Sequence, residues 1–187
     1  MTSLFVVILS WVASSYLRSR DPLLRDVMWM FASVAMLFVV GLVRLFMGTP
    51  PRSLMIAALG FLLAKPLFSL RLASRLRPLP SWWWPVALSA WALSAFPVLV
   101  TAVRPMPRPV VWLAASVFFV LEGVAAGRLI AEARRRGGAA RARLRCAAAG
   151  TGLFGTALLI SATGNAVGSR VLAVGSGVLY LLAFVPP

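Results

Sequence analysis

Apolar residues run along this chain in long blocks, each closed by a basic residue or a helix breaker, instead of recurring every second position or on one helical face. A membrane-spanning helix needs about 20 mostly apolar residues, and tilt widens the range to about 17–25. Seven segments meet or approach that requirement: residues 3–17, 27–47, 53–72, 82–103, 110–131, 146–163 and 170–185, the first and last two being the shortest. The connections carry breakers such as Asp21-Pro22, Pro50-Pro51, Pro78-Leu79-Pro80, Pro105-Met106-Pro107, Gly137-Gly138 and Gly164-Asn165. All are short, which leaves no room for an independent loop domain. The expected fold is an all-α integral membrane bundle of seven transmembrane helices, forming one domain over residues 1–187.

Arginine placement orients that bundle, because cytoplasmic loops are enriched in Arg and Lys. The odd connections carry Arg18, Arg20 and Arg25, then Arg71, Arg75 and Arg77, then Arg128, Arg134, Arg135, Arg136, Arg141, Arg143 and Arg145. The even ones carry only Arg44, Arg52, Arg104, Arg108 and Arg170. An N-terminus outside and a C-terminus in the cytoplasm follow. A cleavable signal peptide begins with positive charge, whereas Met1-Thr2-Ser3 has none and the charges come after the apolar run. The first segment therefore reads as a retained signal-anchor.

Composition agrees with a lipid environment. The 187 residues are 61% hydrophobic and 12% charged, about half the charged share of a soluble domain, and the mean hydropathy is +0.92. The net charge of +15 would suggest nucleic acid in a soluble protein. Here the charges border apolar runs, so anionic lipid headgroups are the expected partners and no nucleic acid is expected. The sole cysteine, Cys146, excludes an internal disulfide and reads as a small buried residue rather than a palmitoylation site. With no histidine, His-ligated haem, His metal sites and His-based catalysis are excluded within the chain.

Two charges sit deep inside apolar segments. Lys65 and Glu122 each lie roughly 12 positions, or about 18 Å at the α-helical rise, past the start of helices that run the same way. An intramembrane ion pair or sensing site at Lys65 and Glu122 is geometrically open to them. The alternatives are a snorkelling Lys65 and a protonated, hydrogen-bonded Glu122. Pro66 and Pro97 predict kinks that open space for a ligand between helices 3, 4 and 5. Gly123 and Gly127 form a GxxxG spacing, which suits close packing within the bundle or a homodimer face. Gly150, Gly152, Gly155, Gly175 and Gly177 read as further packing positions. Trp82, Trp83 and Trp84 read as interface anchors beside a basic connection. No catalytic dyad, nucleophile elbow, phosphate loop or metal-ligand cluster occurs, so neither catalytic residue, cofactor nor metal is expected, and any enzymatic activity would belong to further modules.

The ending Val178-Leu179-Tyr180-Leu181-Leu182-Ala183-Phe184-Val185-Pro186-Pro187, with the layout of seven Arg-flanked helices, resembles the N-terminal membrane region of bacterial sensor histidine kinases and related signalling proteins. The resemblance implies a sensor and anchor in the bacterial cytoplasmic membrane, truncated before its output modules, with helix 7 passing an unknown small-ligand or membrane stimulus inward. It carries no functional residue across. The alternative from the residues themselves is a small transporter, channel or accessory subunit with a polar path at Lys65 and Glu122.

Overall fold

The computed structural model describes residues 2–101 and 106–185, with side-chain surroundings from residue 5 onward. Seven helices make up the described chain: α1 (Thr2–Ser19), α2 (Pro22–Met47), α3 (Arg52–Leu76), α4 (Trp83–Thr101), α5 (Arg108–Ala133), α6 (Gly138–Ala162) and α7 (Ala166–Phe184). Six of them, α2 to α7, are long and apolar enough to cross a membrane, whereas the described apolar stretch of α1 covers only Phe5–Ser19.

Most helices run beyond the apolar segments that announce them, because helix formation and lipid solubility are separate requirements. The predicted start of α2 at residue 27 moves back to Pro22. Asp21 caps it, accepting a hydrogen bond from the Leu23 amide at 2.8 Å, and proline costs nothing at a first position whose N–H has no helical partner. The largest correction is α6, expected from residue 146 and observed from Gly138. Ala139 to Arg145 are nearly all Ala and Arg, too charged for hydrocarbon yet among the strongest helix formers. The far end of α3 extends from residue 72 to Leu76 and so carries Arg75 on helical backbone. At α7 the cap is Asn165, whose side chain accepts from the Gly168 amide at 2.9 Å. The expected end of helix 4 at residue 103 lies outside the described residues.

Six helices form a ring in the order α1, α2, α3, α5, α6, α7, closed by contact between α7 and α1, while α4 lies outside it against α3 and α5. The short α1 is wedged in by Phe5, Ile8 and Val12, all essentially inaccessible. Many outward-facing side chains are large and apolar, with Leu93 and Phe96 on α4 among the most exposed. That arrangement is expected where hydrocarbon replaces water as solvent. At Pro66 the helix loses one backbone donor, which frees the carbonyl one turn earlier, at Leu62. The carbonyl of the adjacent Leu63 accepts from the Trp91 indole of α4 at 3.0 Å. The peripheral helix thereby supplies polar contact at the weakened point of α3.

Candidate functional site

The ring surrounds one buried polar cluster, assembled from four helices. Lys65 on α3 meets Glu122 on α5 with Nζ 3.0 Å from Oε2, and the two side chains are 1% and 0% exposed. That contact brings opposite charges together without aligned hydrogen-bond geometry at Oε2, while Oε1 accepts from the Ser69 hydroxyl at 3.1 Å. The ammonium also donates to the Tyr180 hydroxyl on α7 at 3.2 Å and lies 4.4 Å from the centre of the Phe154 ring on α6. Carboxylate, phenol and aromatic face are three counterparts for an ammonium with three donors. Phe118 stands farther off, with its ring centre 6.0 Å away.

Tyr180 extends the network into α6. Its hydroxyl accepts from Lys65 and donates to Thr151 Oγ1 at 3.0 Å, and Thr151 in turn donates to the Ala147 carbonyl at 2.8 Å. Every hydroxyl in this series has a donor role it can fill, as a dry interior demands. Around the phenol pack Phe5 of α1 and Phe31 of α2, the latter edge-on at 5.2 Å between ring centres. Residues of every ring helix therefore touch one phenol or the ammonium beside it.

A second charged cluster closes one end of the α2–α3 pair. Asp26, only 2% exposed, is bound by Arg71 at 3.3 Å and by Arg75, with Arg25 at 4.0 Å. Arg71 and Arg75 stand four residues apart on α3 and so share a helical face. The remaining buried acid, Glu132, pairs with Arg136 one turn away at 2.8 Å. Reading apolar segments alone misses Asp26, because it falls between two predicted spans. The Asp21-Pro22 cap signal, read as a helix start instead of a turn, would have placed it on α2. Tyr180, Thr151 and Ser69 escape that reading as well, since the only signal for them is a hydroxyl within an apolar helix.

The structure brings Lys65 and Glu122 together but corrects the reading of Gly123 and Gly127 as packing positions inside the bundle. Both are exposed on α5, and a Cβ added at either would have no neighbour within 4 Å. Close approach happens at Gly155, where a Cβ would lie 3.2 Å from Glu122 Cβ, and at Gly150, where it would lie 3.1 Å from the Tyr180 ring. Both glycines face the polar cluster, so small residues are needed where α5 and α7 deliver its members. Trp82 is exposed and stacks on Trp83 with ring centres 5.1 Å apart, at the start of α4 and away from the cluster.

Two apolar cavities, each partly open, flank the cluster. One, of about 180 Å³, is bordered by Leu62, Ala114, Ala115, Phe118, Leu158 and Ser161. The other, of about 170 Å³, is bordered by Phe5, Val34, Leu62, Phe154, Leu158 and Ser169. In comparisons with known protein families, curated proteins and solved structures, nothing matches this chain, and the functional reading rests on the geometry just described.

Proposed function

We propose that this chain is the membrane sensor and anchor region of a bacterial signal-transduction protein, a sensor histidine kinase in the first instance, with a seven-span topology in the cytoplasmic membrane. The observation that carries the reading is the attachment of α7. Its Tyr180 is hydrogen-bonded to both Lys65 and Thr151, so the last described helix is held by the same polar cluster that joins α3, α5 and α6. A stimulus that repacks the cluster changes the position of α7, and a segment continuous with α7 would carry that change onward. The transport alternative has less support, since the cavities beside Lys65 and Glu122 are lined almost entirely by apolar side chains.

The test uses the complete open reading frame. Translation should continue past Pro187 into a signalling module whose output changes in Tyr180→Phe and in Lys65→Met. A stop codon soon after Pro187, or an output indifferent to both substitutions, overturns the proposal.

Orientation belongs to the same proposal, with the odd connections cytoplasmic. After Cys146→Ala clears the native thiol, a cysteine at Thr49 should react with an impermeant reagent in intact cells and one at Gly138 should not. The opposite pattern inverts the topology.

A further inference from the structure

The two cavities have a feature that a packing defect would not require: both are bounded by Leu62 and Leu158, and each is floored by a different aromatic ring beside the Lys65 ammonium. Phe118 borders the first and Phe154 the second. The second cavity takes its walls from α1, α2, α3, α6 and α7, five of the six ring helices, and so lies within the ring and not on its lipid-facing side. Leu62 is also the residue whose carbonyl Pro66 leaves without its helical donor, which places the missing backbone hydrogen bond of α3 at the partition between the cavities.

From this arrangement we infer that the paired cavities form a binding site for a small, uncharged, apolar molecule. No charged side chain lines either one. Burying an ionised ligand there would be costly without a partner. Size is informative too, since an enclosed apolar protein cavity of roughly 150 Å³ accepts benzene and these partly open lobes offer comparable room. Each lobe therefore suits a single ring or a short branched chain, and a longer molecule could pass between Leu62 and Leu158 to occupy both. Ser161 and Ser169, one at each lobe, offer a hydroxyl to a ligand carrying one carbonyl or alcohol group. The occupant presses on Phe118 or Phe154, and Phe154 is the ring on which the ammonium rests. The site deepens the sensor reading and depends on it for its biological sense, though not for its chemistry.

Carbene footprinting of the purified protein in nanodiscs tests the inference, with trifluoromethyl-phenyldiazirine as the probe and residue-level mass spectrometry as the readout. Labelling at Leu62, Phe154 and Leu158 should saturate with probe concentration and fall severalfold under excess toluene. Labelling at lipid-facing Leu93 and Phe96 should instead rise in proportion to probe and resist competition. Filling each lobe with Ala115→Phe and Ala157→Phe should suppress the interior labelling, and the wild-type competition stands on its own if either variant fails to fold. Interior labelling that is absent, or that neither saturates nor competes, overturns the site. So does efficient labelling of the same residues by a phospholipid bearing a diazirine on its acyl chain while the small probe is excluded, because the occupant would then be a lipid tail. Output from a downstream module does not enter this measurement, so its failure and the failure of the sensor reading are separate results.

Discussion

Replacing Lys65 by Met, or Glu122 by Gln, should each lower the thermal stability of the detergent-solubilised protein substantially, and replacing both together should restore much of the loss. The charges lie 3.0 Å apart and are sealed from solvent, so removing one leaves the other without a counter-ion in an apolar interior. Breaking such a pair costs about 3–5 kcal/mol, whereas replacing it whole by groups of similar size can be close to neutral. The two orphans are not equivalent. Without Glu122 the ammonium keeps the Tyr180 hydroxyl and the Phe154 face, while without Lys65 the carboxylate keeps only Ser69. Lys65→Met should therefore be the more damaging single change. Thermal or denaturant unfolding of the four proteins in the cycle measures the coupling, and strictly additive effects would mean that the residues do not interact in the membrane domain.

A comparably large effect is expected at a position without any side chain. Gly150→Leu should destabilise the bundle by about 3 kcal/mol, at the upper end of the usual cost of overpacking. A Cβ at Gly150 would stand 3.1 Å from the Tyr180 ring and 3.2 Å from the Ser176 carbonyl oxygen, and the latter belongs to helix backbone that cannot rotate away. The substitution must push α7 off α6, stretching both the Ser176 hydroxyl contact to the Gly150 carbonyl at 2.7 Å and the Tyr180–Thr151 hydrogen bond. Gly123→Leu and Gly127→Leu are the controls. Their added side chains enter open space on α5, so each should change stability by no more than about 0.5 kcal/mol. Equal damage from Gly123→Leu and Gly150→Leu would contradict the packing described for α6 and α7.

These contrasts also mark what the sequence can disclose. Lys65 and Glu122 are legible because a charge within an apolar run is conspicuous wherever its partner lies. Tyr180 is not, since a tyrosine in an apolar helix looks the same whether it faces lipid headgroups or the centre of a ring. The GxxxG spacing at Gly123 and Gly127 identifies a smooth strip on a helix without saying which way the strip faces. Gly150 and Gly155 depend on what stands opposite, Tyr180 in one case and Glu122 in the other, and that pairing joins distant parts of the chain. Helix ends shift for a related reason. Hydropathy marks where hydrocarbon is tolerated, whereas the Ala-Arg stretch before Cys146 continues α6 on the strength of helix propensity alone.

The placement of α4 outside the ring has a topological consequence. Consecutive helices joined by short loops run in opposite directions, so α3 and α5, separated by one helix, run the same way and pack side by side because α4 is displaced from between them. Residues along α3 and α5 match in ascending order, with Leu62 and Ala115 bordering one cavity and Lys65 and Glu122 meeting farther along, so the two helices are parallel neighbours. In this role α4 is a return stroke: it carries the chain back across the layer so that α5 can begin where α3 began. Its buried residues are small, Ala87, Ser94, Ala95 and Val98, and its outward face is bulky and apolar. The constraint on this helix is thus chiefly one of span, 19 residues or about 28 Å at the α-helical rise. Apart from Trp91, much of its composition should be exchangeable for other lipid-soluble helix so long as that span is kept.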